Sequence, residues 1–560
     1  MRLDLSVKGK LSIGDSLLID KIAPKVYDSY NNFIVRLVAD NSLCELDLLL
    51  SIVSRNPLQS QLLPIISRLI LLQEKLERGE VISQITIEDS SMLSPINGIL
   101  AKFDVKIPIQ VKNKNIFFVF QVFLKFIQSA YLIFISWVWP RLTMTYRKKP
   151  KESILLVDTF VLPGSFTKKG EFIDRYYTGY NQYLSGEQNR AIWYSPMLVG
   201  YKTLMGCIRM ANLSKRNKHN FLFQESWLTL FDYIHAMYLT VVLPLKIKNY
   251  PLFMGCDIRK ILISEVKKDV FSPTLIKAIC RFKFIKNMST AGIDICRAVN
   301  WHENQNIDKA FNLGFHVHYP AVSVKGYQGY IAPSYWSHTV PQLFELEARL
   351  LPDNLYVISN NRKKDVLSNC PGLEVGVASA FRFSYLSNIT RAKPSLNTVP
   401  TVLITLPIDI DESKGILHAC IELHSLVNRK INVLVKQHPV YSKCEFEKMV
   451  PAFKNDTFIV VDDSMSNLLE RISLLISSAS STCAEAVSLG IPVAIYGNRY
   501  GITANPVSSA ESAITKVFYS KEQLVEFIDG SLKRNNQGKD IEKYFFIDNS
   551  ESAQDLFVCK

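Results

Sequence analysis

A hydroxyl-rich turn in the last quarter of the chain carries the clearest chemical pattern of the sequence. The apolar run 473–478 leads into Ser480, Ser481 and Thr482, and Glu485 follows. If a helix begins here, its backbone N–H groups and the hydroxyl groups converge where the helix dipole is positive, forming a phosphate cradle. Glu485 is then placed to accept hydrogen bonds from ribose hydroxyls. An ordinary helix cap without a ligand explains the same pattern equally well.

A lysine and a histidine follow a second apolar run, at Lys436-Gln437-His438-Pro439. In an open α/β sheet the ligand crevice lies beyond the carboxyl ends of the strands, so Lys436 and His438 are expected near the hydroxyl-rich turn. A histidine in this position donates to a phosphate oxygen and stabilises a departing nucleotide without a metal ion. A structural turn is the alternative for an isolated His-Pro pair.

The first half of the chain contributes a carboxylate and a basic residue. Glu303 follows the apolar run 295–301 and precedes a helical stretch, which places it at the carboxyl edge of a predicted sheet. It is the candidate catalytic carboxylate; stabilising a helix dipole is the alternative. Arg175 and Tyr176 follow the first strand of this half, where Arg175 is placed to bind an anionic group.

These residues need two parallel sheets to bring them together. Short apolar runs separated by helix-length segments recur from residue 153, including KILISEV at 260–266, and a second series begins at residue 401. The alternation predicts an α/β fold of two doubly wound, Rossmann-like halves that face a cleft, with linker composition near residues 385–400. We expect a helical N-terminal module at 1–112, a membrane-associating segment with a basic linker at 113–150, an acceptor half at 151–390 and a nucleotide-binding half at 391–560.

Residues 116–139 are almost entirely apolar and aromatic and are followed by a basic stretch. The pattern predicts association with a membrane, either across the bilayer or along its surface, and a buried core helix is the alternative. The formal charge of +14 indicates an anionic partner. No nucleic-acid-binding motif accompanies this charge, so nucleic acid is not an expected partner.

Composition and cysteine spacing favour a cytoplasmic enzyme without a metal. Hydrophobic residues make up 48% and charged residues 21%, which excludes a mainly disordered protein. Ten cysteines are scattered without metal-ligand spacing, as in proteins of reducing compartments, and the N-terminus lacks the apolar core of a signal peptide. Asp409-Ile410-Asp411 has the DxD spacing of a divalent-metal site but the wrong position, and Asp462 and Asp463 are expected to cap a helix.

Taken in order, these motifs resemble the GT-B glycosyltransferases of bacterial surface carbohydrates. The lysine–His-Pro element, the strand ending in serines, the Glu-Ala pair and the later Gly-Ile-Pro-Val are similar to elements of Kdo transferases, polysialyltransferases and glycerophosphotransferases. Trp301 to Gln305, then Gly326-Tyr327-Gln328, resemble a surface-carbohydrate biosynthesis family, which makes Gln305 and Gln328 candidate sugar-binding residues. Where those relatives often have histidine, this chain has Gly329.

The resemblance implies transfer of a sugar from a nucleotide donor to a lipid-linked glycan of the lipopolysaccharide, O-antigen or capsule type. It favours a CMP-activated nonulosonic acid such as Kdo or a sialic-type sugar, with no metal or other cofactor. The expected location is the cytoplasmic face of the inner membrane, where a lipid-linked acceptor is confined. The alternatives are a CDP-glycerol-type glycerophosphotransferase, a nucleotide-sugar epimerase and a non-catalytic scaffold for polysaccharide assembly.

Overall fold

The computed structural model describes residues 2–112, 118–145, 149–390, 399–428, 430–441, 443–451, 458–508, 514–533 and 539–559. Most of the predicted linker, residues 391–398, lies outside these ranges. So do the start of the predicted membrane-associating segment, residues 113–117, and part of its basic stretch, residues 146–148. The described residues form three sheets in which every strand pair is parallel.

The sequence predicts a helical N-terminal module, but the structure shows that the module also contains β-strands. It contains a three-stranded sheet in the order β1-β2-β3, whose strands of three or four residues are too short to give a periodic pattern. Its elements are β1 (Arg2–Asp4), α1 (Ile13–Asp40), α2 (Ser51–Ser54), α3 (Leu62–Glu77), β2 (Gln84–Ile87), α4 (Leu93–Lys102) and β3 (Ile109–Val111).

A long apolar helix, α5 (Phe118–Leu142), joins this module to the first Rossmann-like half. That half is built on a seven-stranded sheet. Its elements are β4 (Ile154–Val161), α6 (Gly186–Ala191), β5 (Ile192–Leu198), α7 (Leu204–Ser214), β6 (Asn220–Phe221), α8 (Leu230–Val242), α9 (Arg259–Lys267), α10 (Pro273–Thr290), β7 (Ile295–Trp301), α11 (Asn306–His318), β8 (Ser323–Gln328), α12 (Leu343–Glu347), β9 (Asn354–Val357), α13 (Asn360–Asn369) and β10 (Glu374–Val377).

The prediction of a strand at 260–266 is wrong, because this segment forms α9. Its buried residues are Ile261, Leu262, Glu265 and Val266. That spacing places them on one face of a helix, whereas a strand buries alternate residues or all of them.

The second Rossmann-like half contains a six-stranded sheet. Its elements are β11 (Thr401–Thr405), α14 (Ile410–Cys420), α15 (Leu423–Leu426), β12 (Asn432–Lys436), α16 (Lys443–Met449), β13 (Ile459–Val460), α17 (Met465–Arg471), β14 (Leu474–Ser477), α18 (Ser481–Ser488), β15 (Val493–Tyr496), β16 (Thr515–Phe518), α19 (Lys521–Ser531) and α20 (Asn549–Phe557).

Both large sheets have the same strand order. Numbered within each half, the strands run 3-2-1-4-5-6, and the first half adds β10 as a seventh strand. The order reverses between β4 and β7 in one sheet and between β11 and β14 in the other. Loops on either side of such a reversal diverge and leave a crevice at the carboxyl ends of the strands. The predicted fold of two Rossmann-like halves is therefore confirmed.

The last helix, α20, lies in the range expected to belong to the second half but packs on the first. Phe557 contacts the rings of Tyr177 and Tyr180, with centroids 5.4 and 4.0 Å apart, and Lys325 donates to the carbonyl of Asp555. Cys559, just beyond the helix, is joined by a disulfide to Cys296 in β7, which departs from the expectation of unpaired thiols. The chain end thereby ties the two halves together.

Among the described residues, Phe120–Leu142 is the one helix long and apolar enough to cross a bilayer by length and composition. It lies along the first half, where Ser129 donates to the carbonyl of Phe271 at 2.8 Å. Trp139, near the C-terminal end of α5, is buried against Phe223. The opposite face of α5 is exposed at Phe120, Phe123, Leu124, Ile127, Tyr131 and Phe134.

The N-terminal module contacts both halves. Arg55 is buried against Glu345 of the first half at 2.9 Å. On the second half, Asp20 accepts from the backbone N–H of Thr503 at 2.8 Å. Arg68 donates to the carbonyl of Tyr500 at the same distance. The module therefore bridges the two halves.

Candidate active site

The hydroxyl-rich turn lies between β14 and α18, as the sequence predicted. Ser480 is the N-cap of α18, and its hydroxyl accepts from the backbone N–H of Thr482. The Thr482 hydroxyl lies 2.9 Å from Ser480 Oγ and 3.2 Å from Thr405 Oγ1, at the end of the neighbouring strand β11. Ser480, Ser481 and Thr482 remain partly exposed, so their hydroxyls and the helix N-terminus are open to a ligand.

Glu485 lies near the middle of α18, just after the hydroxyl-rich turn, and is buried. Its carboxylate accepts from the hydroxyls of Tyr385 and Ser481, the latter at 3.4 Å. Burial raises the pKa of Glu485 above its ordinary value, while Tyr385 and the nearby Arg382 act in the opposite direction. The geometry suits a carboxylate that accepts hydrogen bonds from a ligand's hydroxyl groups in exchange for that of Ser481.

His438 comes from the neighbouring region of the sheet, just after β12. Its Nδ1 accepts from the backbone N–H of Val440 at 3.2 Å, which leaves the proton on Nε2. Burial and the charge of Arg382 lower the pKa of His438, so the ring is neutral near pH 7. A neutral imidazole with an Nε2 proton is a hydrogen-bond donor for a phosphate oxygen.

Lys436 is held on the other side of β12. Its Nζ donates to the carbonyl of Asp463 at 2.7 Å, in the loop between β13 and α17. Because β13 lies on the side of β12 remote from β14, this contact draws the ammonium away from Ser480. The structure thus brings His438, Glu485 and the turn to one edge of the sheet and directs Lys436 elsewhere.

Glu303 lies at the end of the fourth strand of the first half, as predicted. Its carboxylate accepts from Trp301 Nε1 at 2.8 Å and from Gln305 Nε2 at 2.5 Å. Burial raises the pKa of Glu303, and these two donors together with Arg382 partly oppose the rise. A positioned, partly buried carboxylate with a raised pKa is suited to proton transfer. Gln305 therefore orients Glu303.

Tyr176 and Glu303 both contact Trp301, and Arg175 is exposed in the same loop as Tyr176. The ring of Tyr176 packs against Trp301 with centroids 4.8 Å apart. Burial, with a further contribution from the charge of Glu303, raises the pKa of Tyr176 to about 12, so its hydroxyl remains protonated. The loop thus presents a phenol and a guanidinium at the same end of the sheet as Glu303.

Gln328 is not positioned to bind a sugar. Its side chain is fully buried, donates to the carbonyl of Thr339 at 3.0 Å and accepts from Arg362 Nε at 2.8 Å. The next residue, Gly329, is packed so closely that an added Cβ would lie 2.3 Å from the ring of Tyr327 and 2.7 Å from that of Trp301. No histidine can occupy this position without displacing those rings.

Arg382 is the residue that sequence reasoning missed. It is exposed in the short 3-10 helix Phe381–Asn388, which leads from the first half toward the second. Its charge acts on Glu303 from one half and on His438 and Glu485 from the other. Tyr385 of the same helix donates to Glu485, so this segment lies against the hydroxyl-rich turn of the second half.

Several acidic residues have structural roles. Asp409 is the N-cap of α14, and Ser464, rather than Asp462 or Asp463, caps α17. Glu225 is buried beneath α5, where burial raises its pKa to about 7. Within the described ranges no three His, Cys, Asp or Glu side chains are grouped as metal ligands.

Each half is built on its own doubly wound parallel sheet. Neither a protein-family profile nor a curated protein matches the sequence. Solved structures that the chain matches include Staphylococcus aureus MnaA with UDP, at 11% identity over 72% of this chain and 95% of that chain, with a TM-score of 0.42. The glycosyltransferase SnogD from Streptomyces nogalater has 11% identity over 72% of this chain and 99% of its own, with a TM-score of 0.35.

Proposed function

We propose that this protein is a metal-independent glycosyltransferase that uses a nucleotide-activated sugar. The observation that carries the proposal is the hydrogen bond from Tyr385, in the 3-10 helix Phe381–Asn388, to Glu485 of the second half. The charge of Arg382 in the same helix also acts on Glu303 and His438. A proton-accepting group and a phosphate cradle that face one cleft are the two parts that transfer from a nucleotide requires.

In the proposed reaction the donor's phosphate binds at the N-terminus of α18 and accepts from Nε2 of His438. The helix dipole and these donors stabilise the negative charge that develops on the leaving nucleotide. Glu485 accepts from the ribose hydroxyls. Glu303 deprotonates the acceptor hydroxyl in an inverting transfer, or stabilises the anomeric carbon in a retaining one.

The donor we favour is a CMP-activated nonulosonic acid of the Kdo or sialic type. Such a sugar carries its own carboxylate, and the exposed guanidinium of Arg382 is a suitable partner for it. A CMP donor has a single phosphate, which matches a cradle of one helix N-terminus and one histidine. A lipid-linked surface glycan is the acceptor we propose.

We further propose that the enzyme works at the cytoplasmic face of the inner membrane, with α5 lying along the bilayer. The exposed face of α5 includes Phe123 and Phe134, and α8 exposes Phe231 and Tyr238. Both helices pack on α10. Large apolar side chains exposed on two neighbouring helices favour a membrane-docking surface rather than a water-exposed one.

Incubation with CMP-, CDP-, UDP- and GDP-activated donors and membrane extract tests the proposal. We expect transfer from one nucleotide class, lowered in both His438→Ala and Glu303→Gln. The matched controls are His418→Ala and Glu347→Gln, which alter exposed residues of α14 and α12 and should leave turnover unchanged.

Products of the same assay separate the alternatives. Glycerol phosphate transferred from CDP-glycerol would indicate a glycerophosphotransferase, and an isomerised sugar with no acceptor dependence would indicate an epimerase. Absence of turnover together with absence of nucleotide binding by calorimetry would contradict an enzymatic role and favour the scaffold.

A further inference from the structure

A second polar cavity lies outside the cleft, where the N-terminal module, α5 and the start of α10 meet. Its volume is about 230 Å³. The cavity is lined by Ser51, Leu58, Gln59, Lys125, Lys268, Asp269, Ser272, Thr274, Leu275 and Asn306. None of these residues belongs to the candidate active site, so the cavity needs its own explanation.

One side of the cavity favours an anion. Lys125 Nζ donates to the carbonyl of Lys268 at 2.8 Å, which fixes the ammonium of α5 at the cavity wall and leaves it two further protons. Ser272 caps α10, an 18-residue helix whose N-terminus opens here with Thr274 in its first turn. The ammonium of Lys268 is paired with Glu265 at 2.5 Å, so the ammonium of Lys125 and the N-terminus of α10 together form the part of the cavity suited to a phosphate group.

The other side favours a hydrogen-bond donor. Asn306 is 1% exposed, and its Nδ2 donates to the carbonyl of Leu49, while its Oδ1 has no partner among the described residues. Asp269 accepts from Ser51 through Oδ2, and burial raises its pKa to about 7. An ammonium or hydroxyl group would satisfy the unpartnered oxygen and stabilise the carboxylate.

The cavity borders the exposed apolar surface. Leu58, which lines it, is 80% exposed, and the neighbours of Lys125 in α5, Leu124 and Phe126, are 47% and 38% exposed. A polar cavity with an apolar rim resembles the boundary at which a phospholipid passes from acyl chain to head group.

We propose that this cavity binds a phosphodiester that carries an N–H donor, the head group of an ethanolamine phospholipid. Its phosphate lies at Lys125 and the N-terminus of α10, and its ammonium donates to Asp269 and Asn306. The assignment rests on the membrane-docking part of the proposed function and is independent of the sugar-transfer chemistry in the cleft.

Soluble head groups test the chemistry without a bilayer. Calorimetric titration of the full chain should show glycerophosphoethanolamine binding about tenfold more tightly than glycerophosphocholine, because the methylated ammonium has the same charge but no N–H donor. Inorganic phosphate is the third probe and should bind more weakly than glycerophosphoethanolamine. Equal binding of the two head groups, or no binding of either, would overturn the proposal; so would phosphate binding as tightly as glycerophosphoethanolamine.

Two variants assign the binding to the cavity. Asp269→Asn keeps an acceptor for Ser51 and should abolish the preference for ethanolamine over choline, and Lys125→Gln should weaken both head groups about tenfold. Lys248→Gln is the matched control, since it removes an exposed charge outside the cavity, beyond the end of α8. If Lys248→Gln weakened binding as much as Lys125→Gln, the effect would be net charge alone and the proposal would fail.

Vesicle flotation on ethanolamine and choline phospholipids then tests the lipid itself, with thermal unfolding as the check that each variant is folded. Wild type should prefer ethanolamine vesicles, and Asp269→Asn should not. Donor turnover without this preference would contradict the head-group site alone, whereas the preference without any turnover would contradict the proposed transferase alone.

Discussion

The two Rossmann-like halves share one strand order but differ in the residues that come after their fourth strand. After β7 comes Glu303, held by Trp301 and Gln305 among aromatic rings. After β14 come the hydroxyls of Ser480 and Thr482 at the N-terminus of α18. The same topological position therefore presents a carboxylate in one half and a phosphate cradle in the other. Strand order fixes where a ligand binds, and local residues determine what it is.

The largest effect is expected when the carboxylate of Glu303, which distinguishes the first half from the second, loses its charge. Glu303→Gln keeps the shape and should lower kcat about 10²- to 10⁴-fold, the usual contribution of an acid–base group, with nucleotide affinity unchanged. Because the carboxylate is the active form, wild-type activity should rise with pH through its raised pKa, and the variant should lack this limb. A variant that retained the limb would show that Glu303 is not the base.

Arg382 links the two halves, so its removal should affect both. Arg382→Ala should lower kcat/KM about 100-fold, the upper range for hydrogen bonds to charged groups. It should also move the pH limb of Glu303 to higher pH, because the arginine lowers that carboxyl's pKa. Arg382→Lys should return the pH dependence of activity closer to that of the wild type than it returns kcat/KM, because lysine keeps the charge but not the geometry of the guanidinium. An unshifted limb in Arg382→Ala would contradict a shared cleft.

The second half is tested through its phosphate donors. His438→Ala should weaken nucleotide binding about tenfold, the value of one hydrogen bond to a charged group. The effect should appear in donor affinity measured by calorimetry, and His438→Gln should recover part of it because an amide also donates. Unchanged nucleotide affinity in His438→Ala would separate this residue from the cradle.

The smallest expected effect distinguishes the cap from the cradle at Ser480. Ser480→Ala should cost about 1 kcal/mol of unfolding free energy, since it removes the N-cap of α18. If the turn also holds a phosphate, donor affinity should fall as well, whereas the matched cap variant Ser520→Ala of α19 should lower stability only. Equal donor affinity in both variants would favour the simple cap.

The sequence alone predicts the second half better than the first. Strands such as β11 and β14 are short apolar runs, whereas β9 and β10 carry Asn354, Glu374 and Gly376 and give no such pattern. Glu303 and the Ser480 turn could be predicted because each follows a recognisable strand. Arg382 could not, because its segment has the composition of a linker, and only the crossing between halves brings it to the cleft.

The contacts of the N-terminal module with both halves bear on how the cleft can move. A hinge that opened the two halves would have to break the bonds of Asp20 and Arg68 to the second half or strip Arg55 from Glu345 in the first. An unpaired buried charge is far more costly than a lost surface contact. The relative position of the two halves is therefore fixed before the donor binds. The conformational entropy lost in ordering the cleft is lost during folding rather than on binding.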